Sequence, residues 1–518
     1  MSARYSRRSC MRSAVAGGAA LGFGDLRAFL SLSPATAAEA DVAPELIRFT
    51  PDIEPTVRLI EETPREKAIE VMIDQLRRGL PYRQFLAALF LAGIRLMDRV
   101  GPGKRHSVLV THAAHQLSLD ARTEERLLPL FWALNDFHGE WSNSKQRRDG
   151  NVRFLSNPVA GPLPSGNKAE QEFQNAMDKW DVEGADRALV GLIRSRGPRQ
   201  VMETLWPYGV RDWRRIGHKA ISIASTWRCL QTIGWQHAEP ALRYAVWDLL
   251  VEGKDINVGG YRFDDQCYVP NRSRVNGRAV GRLPEDWAGT RTDHGCTLEL
   301  VALMRDGQTD DACQLTLTQL SDGKTQAAAV WDAVHLVTGE FMMRRPNFVF
   351  LHSVTTANAL HYAFRESVQT ETRLLILLQA VGWMCQYRND SSNKQRPMKG
   401  AKITEMVPID IPTQPEAAVE EILAAVSVSN DLAAQKAYRF AQTYPEPDVF
   451  MQAARQLIFM KSTEAHDYKY PAAIFEDYSL VDAKWRPHML AATVYYLRGS
   501  SLPDSPVMQQ ARDAVRSL

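Results

Sequence analysis

Three histidines and one lysine occupy positions from which they could bind one metal ion together. His466 and Lys469 lie three residues apart in "EAHDYKYPAAIFEDY", a spacing that places both on one face of a helix. Two other segments, "HKAISIASTWRCL" from His218 and "HSVTTANALHYAF" from His352, likewise begin with a histidine that small residues follow. Because helices that each present one histidine can build a metal site in a helical core, the sequence predicts a site of His218, His352 and His466.

Lys469 has three plausible environments in this pattern. Its side chain would extend to water, or be buried with Asp467 or Glu464 as a partner, although Asp467 points elsewhere on the helix. Alternatively, CO₂ would carbamylate the amine. A carbamate is an anionic oxygen ligand, which balances the charge of a divalent metal among neutral imidazoles.

For the remaining candidate histidines a structural role competes with a functional one, since a lone histidine on an apolar face is more often a core or capping residue. His112 and His115 lie at i and i+3 and could face one point. His352 and His361 are nine residues apart and lie on opposite faces, so His361 is expected to support a ligand rather than bind metal. We assign the same supporting role to Asp467 and to His237, which comes just before a helix start marked by proline.

The motifs of several common enzyme classes are absent from the sequence. The chain has no GxSxG, P-loop, GxGxxG, HExxH or paired ExxH motif, and we expect neither a nucleotide nor a flavin cofactor. Cys296, two residues from His294, is a weak thiol site.

Helices must position these residues, because apolar residues recur every three or four positions along most of the chain. Segments such as "YRQFLAALFLAGIRLM" and "EPALRYAVWDLLVEG" are typical. We predict an all-α protein of about sixteen to twenty helices. Residues 38–518 would form one large domain with loops at about 141–170, 252–297 and 388–404, and two helical halves are the second choice. The loop around Tyr261 to His294 is a candidate lid.

The N-terminus resembles an export signal. "SRRSCMR" fits the twin-arginine pattern, and "ATAAEA" offers a cleavage site that would remove residues 1–37; the other possibility is a basic cytosolic leader. We therefore expect the twin-arginine export machinery as a partner and a periplasmic or secreted protein. Residues 1–37 hold five arginines and one aspartate, so 57 basic and 59 acidic side chains remain, a formal charge of about −2. No nucleic-acid partner is expected, nor a membrane span.

The six cysteines include no CxxC pair. Cleavage would leave five, so at least one thiol would stay free or pair between chains.

Several of these segments resemble the questin oxidase-like family. "FLHSVTTANAL" resembles the family's His-x-Val-Thr segment, and "HDYKYPAAI" resembles its His-Asp-x-Lys segment. "GHKAISIA" and "THAAHQLSL" are similar to two earlier segments, in the same order. The chain also looks like exported bacterial proteins of unknown function that share "IGHKAI" and "GWQHAEP". It departs from the family at Ser222, where another histidine is common, and at Ala113 and Ala114, where Pro-Met is found.

The resemblance implies an all-helical iron oxygenase in which four histidines and a carboxylated lysine hold the metal. Carried over, the ligands are Lys469, His218, His352 and His466, with His112 or His115. The leading hypothesis is an Fe(II) enzyme that uses O₂ to oxidise an aromatic, phenolic or related small molecule in a pocket lined by Trp and Tyr. Two other hypotheses are a metal-dependent hydrolase and a helical protein with a closed zinc site or no metal.

Overall fold

Twenty-four α-helices make up the described part of the chain. The computed structural model describes residues 52–100, 106–146, 159, 161–251, 263–394, 397–444 and 446–518, and these ranges contain no β-strand. The predicted all-α class is confirmed. The helices outnumber the sixteen to twenty predicted, because segments that read as loops contain short helices of their own.

The first twelve helices, in chain order, are α1 Glu54–Glu62, α2 Ala68–Arg77, α3 Tyr82–Val100, α4 His106–Leu119, α5 Leu128–Gln146, α6 Gly166–Asp178, α7 Val182–Ser195, α8 Pro198–Gly209, α9 His218–Ile233, α10 Ala238–Leu250, α11 Tyr268–Arg274 and α12 Gly277–Val280. The second twelve are α13 His294–Asp306, α14 Thr309–Ser321, α15 Ala327–Arg344, α16 Phe348–Glu366, α17 Thr370–Asn389, α18 Ser391–Lys394, α19 Pro415–Val426, α20 Asn430–Thr443, α21 Asp448–Lys461, α22 His466–Leu480, α23 Arg486–Thr493 and α24 Pro506–Val515.

Four of these helices enclose the candidate residues. Helix α4 packs on α9 and on α22, and α16 also packs on α9 and on α22, so the four close into a ring. All four are buried over most of their length, which explains why their apolar residues are not confined to one stripe. Most of the buried apolar side chains of the described residues belong to one continuous core that runs from Ile53 to Ala511.

Local chemistry defines the start of the three helices that carry His218, His352 and His466. Helix α9 follows Gly217, whose φ is +81°. Helix α16 follows Asn347, whose side chain accepts a hydrogen bond from the amide of Phe350 at 2.8 Å, a typical N-cap. Ahead of α22, the amides of Thr463 and Glu464 donate to a carboxylate oxygen of Asp467 at 2.8 and 3.3 Å.

The three predicted loops are shorter than expected. Helix α5 continues to Gln146 and α6 begins at Gly166, so part of 141–170 is helical. The segment 252–297 contains α11, α12 and the start of α13, and the segment 388–404 contains the end of α17 and all of α18. The predicted export signal at 1–37 lies outside the described residues.

Among the described residues, no helix combines the length and the apolar character that crossing a membrane requires. The five cysteines from Cys229 to Cys385 are all buried and all free thiols.

Candidate metal centre

Three of the predicted histidines lie in ring-to-ring contact. The ring centroids of His218 and His352 are 4.5 Å apart, and those of His352 and His466 are 5.0 Å apart. All three side chains are buried, His352 completely. The helices α9, α16 and α22 therefore bring together imidazoles that are more than a hundred residues apart in the sequence.

Each of the three rings is oriented by a hydrogen bond from Nδ1 to an oxygen. The acceptors are the carbonyl of Arg215 for His218, the carbonyl of Phe348 for His352 and a carboxylate oxygen of Glu464 for His466, each at 2.6 Å. An ionised carboxylate or a carbonyl can only accept. The proton therefore sits on Nδ1, and Nε2 carries the lone pair in the neutral ring. Metal-binding histidines are commonly fixed in this way.

Backbone geometry supplies the first of these acceptors. Arg215, Ile216 and Gly217 have φ angles of +55°, +52° and +81°, so three consecutive residues are left-handed. This conformation costs a branched residue such as Ile216 energy and is maintained only where the surroundings hold it. It returns the carbonyl of Arg215 to the ring of His218.

Burial keeps two of these imidazoles neutral near pH 7. The pKa of His352 lies well below its ordinary value because of burial and then the charge of Lys469. The pKa of His466 is also lowered by burial, which outweighs its bond to Glu464. Burial would raise the pKa of Glu464, but its bonds to His466 and Tyr496 lower it to about 2. The buried Nε2 of His352 has no hydrogen-bond partner among the described residues.

Lys469 is buried beside these rings and reaches a cavity inside the four-helix ring. Only 5% of its surface is exposed. The cavity has a volume of about 30 Å³, room for about two water molecules. Its polar lining comes from Lys469, His112, Gln116, Ser225, Arg228, Thr355 and Asn358.

The cavity wall differs from the sequence prediction. Neither Trp nor Tyr is among the described residues that line it, and alanines supply much of the apolar surface. This cavity is therefore not the predicted substrate pocket lined by Trp and Tyr. Small residues let the four helices approach closely around it. The candidate lid contributes no residue of its described part, 263–294, to the cavity lining. Asp265 binds Arg214 ahead of α9, and buried Asn271 donates to the carbonyl of Leu378 at 3.1 Å.

The structure separates His112 from His115. His112 lines the cavity together with Lys469. Both ring nitrogens of His115 have other partners, Tyr82 at 3.0 Å and Thr232 at 3.2 Å. Burial lowers the pKa of His115 to about 4, so this neutral ring serves the packing of α3, α4 and α9. Of the two, His112 is the one that shares the cavity with Lys469, whereas His218, His352 and His466 are not among its lining residues.

The three residues predicted to support the ligands lie in different places. Asp467 accepts hydrogen bonds from the chain ahead of α22 and from Arg498 at 2.9 Å, so it has other partners than Lys469. His237 is buried at the start of α10, and burial lowers its pKa to about 4. It does not line the cavity. His361 bonds to His335 at 2.8 Å.

The bond to His361 belongs to a buried chain that the sequence did not reveal. His335 also approaches Asp477, with 3.3 Å between Nδ1 and the carboxylate. The other oxygen of Asp477 accepts from Asn358 at 2.8 Å, and Asn358 lines the cavity. The ring of Trp331 stacks on His361 with centroids 4.2 Å apart. This chain ends in a cavity-lining residue but contributes no histidine to the lining itself.

A carboxyl group on α5 left no mark in the sequence. Burial raises the pKa of Asp136 to about 7, with the neighbouring charge of Glu140 adding to the shift and that of Lys469 opposing it. The carboxyl group of Asp136 therefore lies close enough to the amine of Lys469 for the two charges to interact. Nothing in "FWALNDFHGE" distinguishes the residue, because the two side chains meet only through the packing of distant segments.

The side chains at this centre are of types that bind a divalent metal, but their atoms are not positioned as in an assembled metal site. Neutral imidazoles with Nδ1 bonded to oxygen are ordinary ligands of iron and zinc. Over the described ranges, no three His, Cys, Asp or Glu side chains are placed so that they could hold an ion together. Lys469 is not one of these four residue types.

No protein-family model, no curated protein and no solved structure matches this chain.

Proposed function

We propose that this protein is a metal-dependent oxygenase that holds Fe(II) and acts with O₂ on an aromatic, phenolic or related organic molecule. The observation that carries the proposal is the contact of three buried imidazoles whose Nδ1 atoms are all bonded to oxygen, next to buried Lys469. His218, His352, His466 and Lys469 would hold the metal, and His112 is the fourth histidine. The bound iron would supply the redox chemistry with O₂.

Lys469 fits this role best as a carbamate. The ammonium group first loses one proton. The free amine nitrogen then forms a bond to the carbon of CO₂ and releases a second proton, so a cation becomes an anionic oxygen donor. Neutral imidazoles leave the charge of a divalent ion uncompensated, and the carbamate offsets half of it. Incubation with ¹³C-labelled bicarbonate and NMR detection should show one carbamate carbon in the wild type and none in Lys469→Met.

The size of the cavity and the position of Phe348 indicate where O₂ and an organic substrate would approach. The cavity of about 30 Å³ admits a molecule the size of water or O₂ but not an aromatic ring. Phe348 is 53% exposed, and its ring lies 4.4 Å from that of His352 and 5.0 Å from that of His466. One aromatic side chain thus separates the two imidazoles from solvent, and an organic substrate would approach past it.

Oxygen consumption tests the function. Protein loaded anaerobically with Fe(II) is mixed with a panel of mono- and polyphenols and aerated buffer in an oxygen electrode. We expect substrate-dependent uptake in the wild type and in His237→Ala, whose lost ring is not one of the three imidazoles in contact. Uptake should fall at least a hundredfold in His352→Ala. Iron-loaded wild type without uptake on any phenol would contradict the oxygenase, and a protein that binds only zinc would favour a hydrolase or a structural site.

A further inference from the structure

A tyrosine on a helix that carries none of the candidate histidines links two of them. Tyr387 belongs to α17 and is fully buried. Its hydroxyl lies 2.7 Å from the carbonyl of Ile216, 3.1 Å from the carbonyl of His352 and 2.7 Å from the hydroxyl of Thr356. One atom thus contacts the turn ahead of His218 and the backbone of His352.

The hydrogens of this cluster can be assigned by chemistry. A phenol has one proton to donate, and carbonyls only accept. The shorter contact, to Ile216, is therefore the main acceptor of the Tyr387 proton, and Thr356 donates its own proton to the phenol oxygen. The carbonyl of His352, which is farther from the phenol oxygen, accepts the same proton more weakly. Burial raises the pKa of Tyr387, so the phenol keeps its proton near neutral pH.

The turn that receives this bond is the left-handed one. Ile216 lies between Arg215, whose carbonyl orients the ring of His218, and Gly217. A Cβ on Gly217 would lie 2.3 Å from the hydroxyl of Thr356 and 2.7 Å from that of Tyr387. The turn thus packs directly on the two hydroxyls. Such strained backbone persists only where its surroundings over-determine it, and Tyr387 supplies the hydrogen bond that does so.

We infer that Tyr387 is a positioning residue for the metal centre. It holds the turn 215–217 at a fixed distance from α16, and thereby keeps the ring of His218 in contact with that of His352. This inference rests on the proposed function, since it assigns a role to Tyr387 only through the two imidazoles. Partners that orient metal ligands in this way typically change metal affinity about 10- to 100-fold when they are removed.

The test uses Co(II) as a probe, because its visible absorption reports the geometry of its ligands. Metal-free wild type, Tyr387→Phe and Tyr208→Phe are titrated anaerobically with Co(II). Tyr208 is the matched control because its hydroxyl also donates to a backbone carbonyl, that of Gln174 at 3.3 Å. Neither Tyr208 nor Gln174 lines the cavity. We expect the Kd of Tyr387→Phe to rise at least tenfold and its spectrum to change, whereas Tyr208→Phe matches the wild type.

The outcomes separate the two claims. If wild type binds no Co(II), no Fe(II) and no Zn(II), the proposed function fails. If wild type binds Co(II) and Tyr387→Phe binds it with the same Kd and spectrum, the positioning role is overturned while the metal site stands. Should Tyr387→Phe not fold, Gly217→Ala serves instead, because its Cβ would displace the hydroxyl of Tyr387 from the turn. An unchanged Kd and spectrum in Gly217→Ala would then overturn the inference.

Discussion

Gly217 offers a quantitative test of how tightly the turn ahead of α9 is packed. Its φ of +81° costs a residue with a Cβ about 1–2 kcal/mol. The added Cβ would also lie 2.3 Å from the hydroxyl of Thr356 and 2.7 Å from that of Tyr387, so these hydroxyls must move. Leaving the partly buried carbonyl of Ile216 without its bond costs about 1–3 kcal/mol more. Gly217→Ala should therefore lower the free energy of unfolding by about 2–5 kcal/mol.

A second glycine separates the two contributions. Gly161 has the same φ of +81°, and a Cβ there would meet nothing within 4 Å. Gly161→Ala should thus show only the backbone cost of about 1–2 kcal/mol. Urea unfolding of metal-free protein, followed by circular dichroism and Trp fluorescence, compares the two variants with wild type. Equal destabilisation of the two would refute the claim that Thr356 and Tyr387 hold the turn rigidly.

Three further predictions concern single side chains. His112→Ala should reduce bound metal several-fold because this ring faces Lys469 in the cavity, whereas His115→Ala should leave it unchanged; equal loss in both would contradict the assignment. Phe348→Ala should speed the modification of His352 by diethyl pyrocarbonate in metal-free protein at least fivefold, measured by peptide mass spectrometry, because it uncovers the ring; an unchanged rate would show that Phe348 is not the cover. Burial lowers the pKa of His488 from 6.5 to about 4, so the unfolded chain binds more protons between these values and stability is lost as the pH falls from 6.5 to 4. His488→Gln should flatten the decline of the free energy of unfolding over that window, by up to about 3 kcal/mol. An identical pH dependence in urea unfolding of the variant and the wild type would argue against the shift.

Helical periodicity was sufficient for the fold class. Segments such as that of α10, Ala238–Leu250, carry apolar residues at three- and four-residue spacing, and they are helices. The helix count was too low because α11, α12 and α18 are short and polar. Each has seven residues or fewer, and a window of about eleven or more residues cannot resolve a helix of that length.

The candidate site was only partly accessible from the sequence. The three segments that begin with a histidine followed by small residues led to His218, His352 and His466. Helix α16, however, begins at Phe348 rather than at its histidine. Tyr387 left no signal, because its role depends on a contact with Ile216, 171 positions away. The same holds for Asp477 and His335, 142 positions apart, whose contact only the packing of α15 against its neighbours creates. Spacing shows which residues share a helix face, and tertiary packing decides what that face meets.

The central claim is that His352 and its neighbours hold a metal. The most direct measurement is elemental analysis by mass spectrometry of protein purified anaerobically without chelators, with wild type, His466→Ala, His352→Ala and the control His237→Ala side by side. The account predicts about one iron per chain in wild type and control, and little metal in the other two variants. Equal metal content in all four proteins, or none in wild type, would contradict it.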